Sequence, residues 1–466
     1  MKFYFLLLLG SLRELEYFFR TNQGDLMKPK KHLSFGSLRH FMSNHIHQYS
    51  DWRQEKKKDY SIHDAVLSGF ACMYYQDPSL LQFQKELEDR EKNNNMRTLF
   101  GVSDIPENTQ LRNIVDKVES EYLRSIFKEF LARLQRAKHL EQYQFLDGKY
   151  ICNIDGTQFF SSNKVSCPQC LTTTHKNGDI TYSHKVLQGA IIHPDIKQVL
   201  PLMPEQIVNS DGTTKQDCEI NASKRWLSKV KKDHPRLNLI INADGLTSKQ
   251  PFITEVIKVG YSYILVAKPA DHKYMMEWVD AFDSIPGKRV TDAKGSIHEY
   301  EWVTDVPLNG REEAIQVNFF RYRILSINNN GEEKTHYRGS WVTDLPVKAE
   351  NIEIMVKGAR KRWKIENECF NTLKNQGYCI EHNYGHGKEN LCFNMYLFTL
   401  LAFYFHQIFE LTDQIYQACR KKFGSKCHMW EKLRSYVSLF IFESWELLLN
   451  FALTPTRYSP TITAPG

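Results

Sequence analysis

The chain has 466 residues, of which 42% are hydrophobic and 13% aromatic, and its formal net charge is +7. This length is too great for one ordinary domain, and this apolar content is enough for real cores, so we expect two to four globular units. The mild positive charge is compatible with a polyanionic partner, but a single basic cluster is usually only a solvated face.

Residues 1–32 begin with a short apolar run that resembles a signal peptide, but Arg13 and Glu14 follow it without a small-residue cleavage site. We therefore expect a non-targeting N-terminal extension. Ten cysteines scattered along the chain favour a reducing compartment, so we expect a cytoplasmic protein.

Residues 33–147 are predicted to be helical. Ser61–Asp64 is similar to a capping box, which predicts a helix start, and Thr109 is predicted to begin a long helix that ends near Leu140. Basic residues accompany these helices (Lys30, Lys31, Lys56, Lys57, Lys58). The segment is a candidate DNA-binding domain, and a plain helical packing domain is the alternative.

From residue 148 the pattern alternates between strands and helices, which predicts an α/β fold with a mixed sheet over 148–270. Residues 271–340 are rich in strands, with a hairpin turn at Asn328–Gly331, and predict an all-β insertion. Residues 341–385 return to the core, and residues 386–466 form a helical C-terminal region. Its apolar stretch Met395–Phe405 is too short to span a bilayer and predicts a buried helix, so no membrane association is expected.

Two aspartates follow apolar runs of strand type. Asp155 comes after residues 150–154, and Asp244 comes after residues 237–243. An Asp-Gly pair after a strand is most often a turn, but open α/β sheets also place ligands just past the carboxyl ends of their strands.

Two further Asp-Gly pairs compete with these assignments. Polar Lys149 begins the strand after Asp147-Gly148, so we assign that pair to a turn. Asp211 is a rival for the second carboxylate, but its flanking residues Asn209 and Ser210 predict a loop.

A third carboxylate lies in a predicted helix. Arg362, Glu366, Phe370 and Lys374 recur every four residues and so share one helix face. One interpretation is a surface Arg–Glu pair, and the other is a metal-binding carboxylate beside cations that hold phosphate. Two strand aspartates with a helical glutamate are suited to Mg²⁺, because this ion takes a few oxygen ligands and lets the substrate phosphate complete its shell.

The segment Arg362-Trp363-Lys364-Ile365-Glu366, followed by Phe370 and Leu373-Lys374, resembles the R-W-x-I-E…F…L-K signature of DDE transposases from bacterial insertion sequences, specifically insertion sequence family four. Trp341–Leu345 is similar to the strand before the glutamate helix, and the surroundings of Asp155 and Asp244 match the two aspartate sites. The resemblance covers roughly residues 100 to 410. It departs from the family pattern at Ala359, where the family has tyrosine, and at Lys374, which lies one residue further along than the family lysine.

This resemblance implies a ribonuclease-H-like catalytic core made from residues 148–270 and 341–385, with the β insertion between Asp244 and Glu366. It implies that Asp155, Asp244 and Glu366 are catalytic and hold two Mg²⁺ or Mn²⁺ ions, and that Arg362 and Lys374 bind DNA. It also implies cleavage and strand transfer of double-stranded DNA at terminal inverted repeats, into target DNA, by a homodimer on paired ends.

Alternatives remain at three points. The chain could be an inactive DNA-binding remnant of a transposase, or a metal-dependent nuclease of the same fold that only hydrolyses DNA. Cys167 and Cys170, with His175 five residues on and His184 further along, could hold Zn²⁺, or could form a tight hairpin with two free thiols. A predicted apolar helical stripe could mediate the dimer contact or pack inside its own chain (Leu433, Val437, Phe440, Ile441, Trp445).

Overall fold

The computed structural model describes residues 31–54, 58–77, 94–209, 217–327 and 332–455. The helices of eight or more residues, together with one five-residue helix, are α1 (Phe35–Ile46), α2 (Ile62–Tyr74), α3 (Asn108–Lys117), α4 (Arg124–Arg136), α5 (Glu219–Asp233), α6 (Gln250–Lys258), α7 (Lys273–Asp280), α8 (Ile352–Ala359), α9 (Asn371–Asn375), α10 (Leu391–Thr412), α11 (Gln414–Phe423), α12 (Lys426–Leu439) and α13 (Trp445–Leu453). The strands are β1 (Tyr150–Ser162), β2 (Leu171–Thr174), β3 (Ile180–His193), β4 (Ile196–Pro201), β5 (Glu205–Ile207), β6 (Leu239–Ala243), β7 (Ser262–Val266), β8 (Gly287–Thr291), β9 (Ile297–Pro307), β10 (Gln316–Ile327) and β11 (Glu333–Thr343).

Several predicted features fall outside these residues. They are the N-terminal extension up to residue 30, Lys56 and Lys57 of the basic clusters, the rival carboxylate Asp211, and the predicted hairpin turn Asn328–Gly331.

The N-terminal segment is helical, as predicted. Ser61 caps α2, because its side chain accepts a hydrogen bond of 2.9 Å from the backbone N–H of Asp64. The predicted long helix after Thr109 is wrong, because the backbone becomes extended at Val118 (φ −74°, ψ 123°) and splits the segment into α3 and α4. Apolar spacing continues across this break, so spacing alone did not reveal it.

One mixed sheet organises the centre of the molecule. Its strand order is β2-β3-β1-β6-β7-β11-β10-β9-β8, and β4 and β5 also pair with β3. β1 runs antiparallel to β3 and parallel to β6, and β6 runs parallel to β7. α5 precedes β6, and α6 connects β6 to β7, so the predicted mixed α/β class is confirmed.

The β-rich segment after residue 270 extends this same sheet. β11 returns to the centre and pairs antiparallel with β7, with Trp341 opposite Val266. The segment is not all-β, because α7 lies within it and buries Met275 and Val279, which are one helical turn apart. The sequence prediction missed this short helix because strand signals surround it.

Helices α2 and α10 pack together in the main hydrophobic core. α10 contains the predicted buried stretch Met395–Phe405 and is longer than expected. Among the described helices it alone has the length and hydropathy to cross a membrane, but 94% of its most apolar window is buried inside the chain. α10 is therefore packed as a core helix.

The predicted C-terminal apolar stripe does not exist as one helix face. α12 ends at Leu439, the backbone is extended at Phe440, and Ser444 caps the start of α13. Leu433 and Trp445 are buried, whereas Ile441 is exposed. The stripe is thus divided between two helices and the connection between them.

Candidate active site

Asp155 and Asp244 lie on neighbouring parallel strands. Asn153 of β1 is the register partner of Asn242 of β6, and each aspartate lies two residues further along its strand direction. Asp155 is within β1, and Asp244 directly follows β6. The two aspartates therefore stand side by side at the carboxyl edge of the parallel strands, where α/β sheets place their sites.

Glu366 comes from an irregular helical segment that follows β11. After α8 the backbone tightens into a 3₁₀ turn at Arg360–Trp363 and then widens into a π turn at Ile365–Phe370, before α9. Nη1 of Arg362 lies 2.7 Å from Oε1 of Glu366 and 3.6 Å from Oδ2 of Asp155. One guanidinium therefore links the helical glutamate to the first strand aspartate.

Two buried asparagines hold this helical segment against the sheet. Nδ2 of Asn153 donates to the carbonyl oxygens of Lys361 (2.8 Å) and Arg362 (3.0 Å). Nδ2 of Asn242 lies 3.4 Å from the carbonyl oxygen of Gly358 and 3.5 Å from that of Ala359. A 3₁₀ or π turn changes the regular pairing of helix carbonyls, so side-chain donors can reach them. The strands that carry the aspartates thus also position the glutamate.

Negative charge is concentrated around Asp155. The pKa of the Asp155 carboxyl is raised to about 7, first by burial and then by the charge of Glu219, with Arg362 acting in the opposite direction. The charge of Glu366 also raises the pKa of Asp155. Burial also raises the pKa of Glu219, and the charge of Asp244 adds to that shift. Four carboxylates therefore influence one another, which is an arrangement that a divalent cation would stabilise.

Glu219 is the site residue that the sequence did not reveal. It is the first residue of α5, where an acidic side chain is ordinary because it interacts favourably with the helix dipole. A Cβ at Gly156 would lie 2.6 Å from Oε2 of Glu219, so glycine is needed at residue 156 for this close approach. Gly156 here belongs to a strand and not to a turn.

The other Asp-Gly pair is a turn, as predicted. Asp147 and Gly148 both have positive φ angles, of 48° and 71°. The hydrogen bonds between Phe145, Leu146 and Lys149 close this turn directly before β1.

Lys374 forms an ion pair with a residue outside the three carboxylates. It is on α9, and its Nζ is 2.7 Å from Oε1 of Glu381 in the segment that follows. The predicted pairing of Lys374 with a DNA phosphate would require this ion pair to open.

A groove lined by cationic side chains opens at the same edge of the sheet. Its volume is about 440 Å³, and its basic lining residues are Lys268, Arg321, Arg323 and Arg338. Lys268 follows the carboxyl end of β7 and lies beside Gly245, the neighbour of Asp244. Arg323 is the register partner of Arg338 on β11, and its guanidinium forms an ion pair with Glu299 on β9.

A second cluster contains the predicted CxxC motif. Cys167, Cys170, His184 and His386 place their ligand atoms within 4.8 Å of one another. His175 is not part of this group: its Nε2 lies 2.8 Å from Oγ1 of Thr181, and the residue is exposed. The histidine assignment made from the sequence is therefore replaced by His184, which the sequence had noted, and by His386, which it had missed. His386 is 216 residues from Cys170, too far for motif spacing to show.

No protein-family model matches this chain, and no curated protein was found to be similar to it.

Proposed function

We propose that this protein is a DDE-type transposase, which cuts the ends of a mobile DNA element and joins them to target DNA with the help of divalent metal ions. The observation that carries this proposal is that Asp155 and Asp244 lie on adjacent parallel strands, while Arg362 links Glu366 to Asp155. Mg²⁺ and Mn²⁺ prefer oxygen ligands, and these side chains supply them at one edge of the sheet.

The strand arrangement supports the ribonuclease-H-like core that the transposase resemblance implies. β4-β3-β1-β6-β7 form a continuous set in which β3 is antiparallel to β1, while β6 and β7 are parallel to it. Strands β8 to β11 lie in the sequence between Asp244 and Glu366, where the resemblance expects a β insertion.

In this proposal Asp155, Asp244 and Glu366 hold the two metal ions, which would activate the attacking oxygen and stabilise the leaving oxygen of the phosphodiester. Arg362 links Glu366 to Asp155, and its planar guanidinium would bind a backbone phosphate next to the cut. The cationic groove offers a path for double-stranded DNA away from this point, since Lys268 and Arg338 border it.

The deciding experiment is a joining assay. The DNA is a labelled, pre-cut duplex taken from the flanks of the reading frame, where this proposal expects terminal inverted repeats, and it is mixed with target plasmid and Mg²⁺. We expect a joined product. Asp155→Asn and Asp244→Asn should each abolish joining, by about 10²-fold or more, while the gel shift of the duplex is retained.

Glu366→Gln should behave like the aspartate variants, and Glu368→Gln is its matched control. Glu368 lies on the same helical segment as Glu366. Its charge raises the pKa of Lys364, whereas the charge of Glu366 raises the pKa of Asp155. Nicked plasmid without joined product would instead indicate a nuclease, and a gel shift without any cleavage would indicate a DNA-binding remnant. Either result contradicts the proposal.

A further inference from the structure

The cluster formed by Cys167, Cys170, His184 and His386 has the dimensions of a tetrahedral metal site. The two Sγ atoms are 3.7 Å apart, and Cys170 Sγ lies 3.4 Å from the Nε2 atom of each histidine. Cys167 Sγ is 3.5 Å from Nε2 of His184, and the two Nε2 atoms are 3.1 Å apart. Ligands at normal Zn–S and Zn–N bond lengths in a tetrahedron are separated by roughly 3.3–3.8 Å.

We propose that these four residues bind one Zn²⁺ ion in a structural Cys₂His₂ site. The donor types match the chemistry, since thiolate and imidazole are the preferred protein ligands of zinc. Four protein ligands complete a tetrahedron and leave no open position, which is the pattern of a structural site and not of a catalytic one.

The hydrogen bonds around the cluster orient its ligands. Nδ1 of His386 lies 2.9 Å from the carbonyl oxygen of Gly387, which can only accept, so Nδ1 carries the proton and the lone pair of Nε2 faces the cluster. The backbone N–H of Cys167 donates to Sγ of Cys170. A disulfide does not account for the two cysteines, because its bond would be about 2.05 Å long.

Aromatic rings shield the cluster. The ring of Phe160 lies 4.5 Å from that of His386 and 5.7 Å from that of His184, while Phe159 lies 5.9 Å from His184. Cys170 and His184 are buried. An apolar shell of this kind restricts the access of water to a metal and its thiolates.

The proposed zinc would join parts of the chain that are distant in sequence. Cys167 and Cys170 lie between β1 and β2, His184 lies in β3, and His386 lies between the glutamate-bearing helical segment and α10. β1 also carries Asp155. Zinc would therefore anchor the chain that follows Glu366 to the strands next to Asp155, independently of the carboxylate site.

The test is the metal content of the full chain, purified under reducing conditions without added metal and measured by mass spectrometry. We expect about one equivalent of zinc per chain. The Cys170→Ser and His386→Ala variants should each lose the bound zinc. His175→Ala is the matched control for the histidine, and Cys392→Ser is the matched control for the cysteine, because Cys392 is partly buried and lies near the two thiols. Both controls should keep the zinc.

Replacement of zinc by Co²⁺ in the unmutated chain avoids any dependence on how the variants fold. We expect the visible absorption of tetrahedral thiolate–imidazole cobalt. An unmutated chain that takes up neither metal would overturn the proposal and leave a hydrogen-bonded cluster. Zinc that survives His386→Ala but is lost with Asp155→Asn would also overturn it, because the metal would then belong to the carboxylates. None of these outcomes depends on transposase activity.

Discussion

At the scale of single residues, the same dipeptide has two different uses in this protein. Asp147-Gly148 forms a turn in which both residues have positive φ angles. Asp155-Gly156 lies inside a strand, and its glycine makes room for the carboxylate of Glu219. The role of Gly156 beside Glu219 depends on a helix that begins more than sixty residues later, so local sequence does not reveal that role.

Glu219→Gln tests whether this fourth carboxylate contributes to metal binding. The change removes one negative charge beside Asp155 and Asp244 and keeps the shape of the side chain. We expect the Mg²⁺ concentration for half-maximal DNA cleavage to rise about 10-fold, with activity near normal at saturating Mg²⁺. A titration of cleavage rate against Mg²⁺ measures this. Glu255→Gln, which makes the same change on α6, should leave the titration unaltered, and an unaltered titration for Glu219→Gln would exclude the role.

Arg362→Ala tests contact with the DNA backbone. A phosphate contact positions DNA without reading its sequence, so affinity should fall for every duplex. The slope of log affinity against log salt should become shallower by about one unit. Fluorescence anisotropy at several salt concentrations gives both quantities. Arg360→Ala is the control, since Arg360 lies over the rings of Tyr322 and Tyr337. A loss of affinity confined to one DNA sequence would contradict this role for Arg362.

At the scale of elements, the helical segment that carries Glu366 is held by side chains from the sheet. Asn153 and Asn242 are register partners on β1 and β6, and both turn their amides toward carbonyl groups of this segment. Both asparagines are fully buried, so these hydrogen bonds give their amide N–H groups partners in the core. The strands thereby determine where the glutamate lies.

Asn153→Ala should separate positioning from overall stability. Loss of its amide leaves the carbonyls of Lys361 and Arg362 without this donor, at a cost of about 1–3 kcal/mol in the free energy of unfolding. Cleavage should fall further than the unfolded fraction explains, because Glu366 loses its support. Urea unfolding and cleavage rates measured on the same samples give the comparison.

Asn242→Ala is the variant to compare with Asn153→Ala. Its hydrogen bonds are longer, at 3.4 and 3.5 Å, so its effect on both quantities should be smaller. Equal effects of the two substitutions, or a loss of cleavage that the unfolded fraction fully accounts for, would argue that the asparagines only stabilise the fold.

At the scale of the whole molecule, the N-terminal and C-terminal helices share one core. The ring of Phe35 in α1 lies 5.3 Å from that of Trp445 in α13, and Nδ2 of Asn95 donates to the carbonyl oxygens of Val437 and Phe440. Trp445 therefore follows the second of the two alternatives for the apolar stripe, because it packs inside its own chain. Leu439 and Ile441, which are 67% and 41% exposed, remain on the surface between α12 and α13.

The proposed joining of two DNA ends predicts a change of assembly state on DNA. We expect a monomer in the free protein and a dimer when end duplex is added, because two active sites must act together. Size-exclusion chromatography with light scattering, with and without the duplex, measures this. Ile441→Glu should weaken the DNA-bound dimer if the exposed residues contribute to it. A complex of one protein with one end that still joins ends would refute the dimer.

Local chemistry determined several features that the sequence predicted. The cap at Ser61, the turn at Asp147, the strand before Glu366 and the α/β alternation depend on residues a few positions apart, so pattern and propensity were sufficient. The core nature of α10 followed from its apolar composition. The break at Val118 was missed because the apolar spacing continues through it.

Tertiary structure decided which side chains meet. Glu219 approaches Asp155 only because α5 packs against the sheet, and His386 reaches Cys170 only because the chain returns after 216 residues. The link between Glu366 and Asp155 through Arg362 likewise requires the strand and the helix to pack together. These contacts join residues that are distant in sequence. They depend on how strands and helices pack, so motif spacing does not predict them. The sequence by itself determined the α/β alternation and proposed the three acidic residues, while packing selected the fourth carboxylate and the two histidines.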